Sequence, residues 1–322
     1  MKRGFSHGLQ ACLLAGLVCL SSTTALAQRG DFSFGVIAHV TRLDDVLLRE
    51  AITETDADNL AFVVVNGFKL PAESCSDELY LQRRSLLDSA KNGVFVSLAA
   101  SDWLSCGGQQ DHSASIGRLN HVRELFFANA LSLGASKLPL IRQSGTAKFR
   151  NYAENARWEF GDIMFATVNL PGENNHFLRE AGRNSEFEDR QIATAEWLQR
   201  IFIYAARKKM AGIVLFSDGD PMTVTTVRSL FNSGAKRDGF REVRKQLMTL
   251  AGNYRGKVLL VTGEMRKPPT SLPAILWQKN LGTLAAQSGQ GAWVKLRIRP
   301  DSASLFEVVN AAVPENDRAR GK

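Results

Sequence analysis

The sequence predicts an α/β protein in which two β-sheets are stacked and helices cover both outer faces, and three observations carry that prediction. Short apolar β-type runs alternate with helical periodicity through the first third of the chain, which is the pattern of a parallel sheet with crossover helices. From about residue 145 the pattern changes to a hairpin, Arg157–Phe160 and Ile163–Leu170, so a second sheet begins there. No repeat, long linker or low-complexity tract interrupts the chain, so both sheets belong to one domain, residues 28–313.

The elements follow in order. A strand near 32–38 precedes a helix over 43–55, where Leu43, Val46, Leu47 and Ala51 recur at helical spacing. A strand at 61–66, a helix at 77–91 with Leu79, Leu81, Leu86 and Leu87, and a strand at 94–99 come next, and then a helix at 117–131. After the hairpin, residues 186–209 form a long amphipathic helix on Ile192, Ala195, Trp197, Leu198, Ile201 and Phe202. It leads into a strand at 212–216. A helix at 238–251 and strands at 257–262 and 292–298 complete the sandwich. Trp197, Phe202, Trp277 and Trp293 stand at core spacings and read as packing residues. The polar, charged stretch 314–322 reads as a loose tail.

Lys2 and Arg3, the apolar stretch Ala11–Leu20 and the sequence Ala25-Leu26-Ala27 form the pattern of a secretory signal peptide, with cleavage expected after Ala27. The apolar run is about half the roughly 20 residues that span a bilayer, so no transmembrane anchor is expected in the mature chain. The expected location is the periplasm or the exterior. Without the first 27 residues the formal net charge falls from +8 to +6, and the basic residues left are scattered, as in Arg207-Lys208-Lys209. That distribution fits a solvated face and argues against nucleic acid as a partner. Two cysteines survive cleavage, Cys75 and Cys106. In an oxidising compartment they are expected to form one disulfide, tying the loops after two neighbouring strands; two unpaired buried thiols are the alternative.

Sites in open α/β sheets lie at the carboxyl ends of strands. Here those ends are His39-Val40-Thr41, Asn66-Gly67-Phe68-Lys69, Ala99-Ala100-Ser101-Asp102-Trp103 and Thr262-Gly263-Glu264-Met265-Arg266. The order and spacing of the segments from 32 to 308 resemble secreted bacterial members of the calcineurin-like metallophosphoesterase superfamily. The pieces that carry the resemblance are Lys69 with Cys75 and Asp77, Trp103 with Cys106, Phe165–Val168 with Gly172, Asn174 and Asn175, Ala211–Phe216, and Trp293-Val294-Lys295.

The resemblance implies an α/β/β/α sandwich whose strand-end loops hold two metal ions and a metal-activated water that attacks a phosphate ester. It also implies a ligand set that this chain does not carry. Where the first loop should place an aspartate after a glycine stands Ala38-His39, and where the second should read glycine-aspartate stands Asn66-Gly67. Ala99-Ala100-Ser101 occupies the third loop, and the late histidine-rich loop is replaced by Thr262–Arg266. Two neighbouring dications need several anionic or imidazole ligands to offset their repulsion, and Gly67 and Ala100 offer no side-chain donor.

The expected function is therefore an exported pseudoenzyme without a cofactor, binding a small anionic ligand or an envelope protein at the positions His39, Asn66, Gly67, Ala100, Ser101, Asp102, Asp218, Glu264 and Arg266. Lys69 is a further candidate donor to an anion there. The alternative is a divergent phosphoesterase holding a single divalent manganese, iron or zinc ion on His39, Asp102, Asp218 and Glu264. Asp218-Gly219-Asp220-Pro221 also reads as a turn braced by its aspartates. A Ser101–His39–Asp102 triad is disfavoured because no G-x-S-x-G elbow is present.

Overall fold

A computed structural model describes residues 30–38, 45–107, 112–178, 184–223, 238–263, 273–286 and 293–309. The expected signal peptide and the expected tail, with His39, Glu264 and Arg266, lie outside these residues. In chain order the strands are β1 (Phe32–Ala38), β2 (Val63–Asn66), β3 (Val94–Ser97), β4 (Ile141–Arg142), β5 (Ala156–Phe160), β6 (Ile163–Thr167), β7 (Gly212–Ser217), β8 (Lys257–Thr262), β9 (Leu276–Gln278), β10 (Leu281–Ala285), β11 (Trp293–Ile298) and β12 (Phe306–Val309). The main helices are α1 (Asp45–Ala57), α2 (Asp77–Asp88), α3 (His112–Phe126), α4 (Ser185–Arg207) and α5 (Arg241–Asn253).

The strands form one sheet in the order β12-β11-β1-β2-β3 and another in the order β4-β5-β6-β7-β8-β10-β9. Within them β1-β2-β3 and β6-β7-β8-β10 are parallel, so their carboxyl ends form two adjacent rims. Three apolar layers result. Helices α1, α2 and α3 bury Leu48, Leu87 and Val122 against one sheet. Phe34, Phe62, Phe95, Trp158, Phe165 and Phe216 fill the space between the sheets, and α4 and α5 cover the second sheet through Trp197, Ile201, Val243 and Leu247. The architecture is the expected two-sheet α/β sandwich.

Several details differ from expectation for physical reasons. Helix α3 begins at His112 and ends at Phe126, because Leu133 leaves helical conformation to exchange backbone hydrogen bonds of 2.8 and 2.9 Å with Val94 at the sheet edge. Helix α2 stops at Asp88, where Ser89 caps Leu86 O through its hydroxyl and the Asp56 carboxylate takes the N–H groups of Lys91 and Asn92. In α1 the buried face is Leu48, Ala51 and Ile52, whereas Val46 and Leu47 face outward. In α4, Ile192 is exposed, and the inner stripe includes Phe187 and Arg190 instead. Strands β4, β9, β10 and β12 were not expected. Trp277 on β9 is 43 % exposed and lies over Phe306 of β12 at the open edge, so it is not a core residue.

Candidate functional site

Strand β2 ends in Asn66, whose register partner on β3 is Ser97. Alternation along the strands turns both side chains to the face that carries Phe62 and Phe95, toward the second sheet. There Asn66 Nδ2 donates to Ser217 O at the end of β7 (2.7 Å), joining the two rims. Gly263 follows β8 and packs so close that a Cβ there would lie 3.0 Å from the Asn66 amide. Gly67 has φ +76°, a left-handed backbone that glycine adopts without steric cost, and it turns the next two N–H groups inward.

Those N–H groups meet Asp102. The Asp102 carboxylate is fully buried and accepts from Phe68 N (2.9 Å), Lys69 N (3.1 Å) and Ala99 N (2.8 Å). It locks the loop after β2 to the 3-10 turn Ala100–Asp102 after β3. Burial pushes its pKa up to about 7, with Asp218 adding to the rise, while the backbone donors and Lys69 oppose it. Asp218, after β7, bridges the sheets in a similar way: its Oδ2 accepts from Ala100 N and from Gly172 N, both at 2.7 Å. The turn expected at 218–221 falls at 220–223, closed by Thr223 N donating to Asp220 O (3.3 Å) and braced by the Asp220 carboxylate, which accepts from Met222 N at 2.8 Å. Asp218 itself reaches across the two rims.

Lys69 lies buried behind the loop and does not present its ammonium to the mouth. Its Nζ donates to Leu70 O (2.7 Å), Glu73 O (3.0 Å) and Ser105 Oγ (3.4 Å). Burial lowers its pKa, with Asp102 and Glu73 acting the other way. Beside it Cys75 and Cys106 form the disulfide, 31 residues apart in sequence. Tyr80 completes the brace, its hydroxyl reaching Asp102 O at 2.7 Å.

The third wall follows β6 and is strained. Glu173, Asn174, Asn175 and His176 all have positive φ, between +52° and +64°. A run of left-handed non-glycine residues costs roughly 1–2 kcal/mol each and persists only where the surroundings over-determine it. Buried Arg190 supplies much of that constraint, donating to Asn175 O, Asn175 Oδ1 and both Glu186 oxygens. Asn174 Oδ1 accepts from Gly239 N, and Asn175 Nδ2 donates to Gly239 O. His176 Nδ1 stands 3.0 Å from Glu186 Oε2, and the imidazole meets the Trp103 ring edge to face at 5.3 Å. Burial acts to raise the Glu186 pKa, but Arg190 and His176 hold it down to about 2.

Around the mouth the buried atoms that lack a hydrogen-bond partner are neutral ones: Asn66 Oδ1, Ser97 Oγ, Ser101 Oγ and Trp103 Nε1. The residues that carry them are at most 8 % exposed. Native structures rarely leave such groups unpaired, so these four atoms are hydrogen-bonding capacity that the described residues do not use. The structure thus brings together Asn66, Gly67, Ala100, Ser101, Asp102 and Asp218 from the expected set. Among the described residues no three His, Cys, Asp or Glu side chains are grouped as metal ligands, and His39 and Glu264 lie outside those residues. Arg190 was not anticipated. Its signal was an arginine on the apolar stripe of an amphipathic helix, four residues after Glu186.

No protein-family profile matches the chain, and no curated protein matches it. Among solved structures, that of PhoD is a distant likeness in fold, with 11 % sequence identity and a TM-score of 0.48. The likeness covers 84 % of this chain and 64 % of that one.

Proposed function

We propose that this protein is an exported, metallophosphoesterase-like pseudoenzyme that binds a small ligand or an envelope protein at the strand-end mouth. The observation that carries the reading is the use of the acidic groups. Asp102 and Asp218 together accept five backbone N–H groups, from Phe68, Lys69, Ala99, Ala100 and Gly172, and so serve as internal staples of the loops. A lone pair that holds a backbone donor is not open to a metal, and of the roughly four that a carboxylate offers, Asp102 has three engaged in this way and Asp218 two, both on Oδ2. The unpaired atoms at the mouth, by contrast, are neutral donors and acceptors suited to reversible binding. The disulfide and the signal-like N-terminus support export.

A second reading has its own support. Asp102 and Asp218 are near enough that the charge of one raises the pKa of the other, and paired carboxylates attract a cation. In that reading His39 and Glu264 join them around one divalent manganese, iron or zinc ion, and the protein hydrolyses a phosphate ester. Elemental mass spectrometry of the protein purified with those metals present separates the two. Less than about a tenth of an equivalent, with no hydrolysis of p-nitrophenyl phosphate or bis-p-nitrophenyl phosphate, is expected for the pseudoenzyme. About one equivalent, with hydrolysis that vanishes in His39→Ala, would replace it with the single-metal enzyme. N-terminal sequencing of the exported protein tests cleavage after Ala27.

A further inference from the structure

Residues of α4 and α5, with Leu170, Asn175 and Gly239, line a cavity of about 600 Å³, a size typical of small-molecule sites. Its apolar lining comes from Leu170, Ile192, Ala195, Val243 and Leu250, and its polar lining is dominated by neutral groups: Gln191, Thr194, Gln199, Gln246 and Thr249. Glu242 and Lys245, of opposite charge, lie one turn apart on α5 and leave the cavity with no net charge from this pair. Two observations show that it is more than a gap between helices. Thr194 is 2 % exposed, lines the cavity, and its Oγ1 has no hydrogen-bond partner. Gln246 is held across the helix pair by its Nε2 donating to Ala195 O at 2.7 Å, which fixes the spacing of the two walls.

We propose that this groove is a binding site for an uncharged oligosaccharide. The Gln191 and Gln199 amides and the Thr194 hydroxyl can both donate and accept, as sugar hydroxyls do; the Thr249 hydroxyl donates to Lys245 O at 2.9 Å and is left as an acceptor, and the apolar lining suits the C–H faces of sugar rings. Gln191 and Gln199 are eight residues apart, about 12 Å along the helix, which calls for an oligomer and not a single sugar. An extended peptide is a poorer match. Both walls are helices whose backbone groups bond internally, so a peptide main chain finds no edge to pair with. Asn175 links the groove to the mouth, because it lines the cavity and is also the residue that Arg190 clamps. The proposal stands independently of what the strand-end mouth binds.

Isothermal titration of the full mature chain with tri-N-acetylchitotriose, maltotriose and trialanine tests it. Saturable binding of at least one of the sugars is expected with Kd below about 10 mM. The double variant Gln191→Ala, Gln199→Ala, altered on the groove's outer wall, should weaken that binding at least tenfold. Thr194→Val should weaken it too while leaving Tm unchanged or higher, because it removes a buried hydroxyl that the protein itself does not satisfy. No saturation by either sugar, equal affinity in both variants, or tighter binding of trialanine than of either sugar would overturn the proposal.

Discussion

Along β2 the surroundings change completely within four residues. Phe62, just before the strand, is enclosed by aromatic rings, with Phe34, Phe95, Trp158 and Phe165 at centroid distances of 4.9–5.6 Å. At the strand's other end Asn66 faces a carbonyl, a glycine and a set of loops fastened by carboxylates. In the first region stability comes from apolar area and close packing, which are insensitive to pH. In the second it comes from a few directed hydrogen bonds to buried charge, which are not. The contrast teaches that the rim holds itself together with groups that a metal site would direct at its ions.

The largest effect is expected in the packed region. Phe62→Ala should cost about 3–5 kcal/mol of stability, measured by denaturant unfolding, through lost burial and the cavity left behind. At the rim, Asp102→Ala leaves three buried N–H groups without an acceptor and should cost about 3 kcal/mol or more. Of the two, only the rim change alters the pH profile. Asp102 titrates at about 7 in the folded protein against 3.8 ordinarily, so the stability it contributes is complete below about pH 4 and is lost as pH rises through 7. Asp102→Asn should remove that slope between pH 4 and 7, while Phe62→Ala should shift the whole curve without changing its shape. Glu186 has the opposite sign: it is held at about 2 against 4.5, so its contribution is present above about pH 4.5 and lost as pH falls through 2. Glu186→Gln should flatten that acid limb.

Smaller effects sharpen the same comparison. Replacing Cys75 and Cys106 by serine opens a loop of 31 residues and should cost about 3 kcal/mol, with the rim losing hydrogen-exchange protection before the aromatic core does. Uniform loss of protection would show that core and rim unfold as one unit. The smallest change is expected at Glu173, exposed and left-handed, where Glu173→Gly relieves roughly 1 kcal/mol of strain against a similar gain in unfolded-chain entropy. A change in Tm of no more than a degree or two is expected. A drop of several degrees would mean that the side chain itself holds the turn.

Much of this was legible in the chain. The alternation from 32 to 99 located β1, α1, β2, α2 and β3 to within a few residues, because a parallel sheet writes near-continuous apolar strands between amphipathic helices. Strands β4, β9, β10 and β12 were missed because they are short edge or near-edge segments, and Leu276, Trp277 and Gln278 lack the alternation that burial on one face imposes. The site was half legible. Asn66, Gly67, Ala100, Ser101, Asp102 and Asp218 were placed at strand ends by topology alone, and there they lie.

What each of these residues does at the rim was not readable. Lys69 looked like a donor for an anion, yet a turn of the loop sends its ammonium to two carbonyls behind the wall. Arg190 carried no expectation at all, yet it is buried and clamps a turn 15 residues earlier. Local sequence determined the strands, the helices and the set of residues at the rims, because periodicity and turn chemistry act over a few positions. Tertiary structure alone decided that Asp102 and Asp218 would hold backbone instead of facing outward. A carboxylate goes to whichever donors the fold places within hydrogen-bonding distance, and here those donors lie 3 to 118 residues away along the chain.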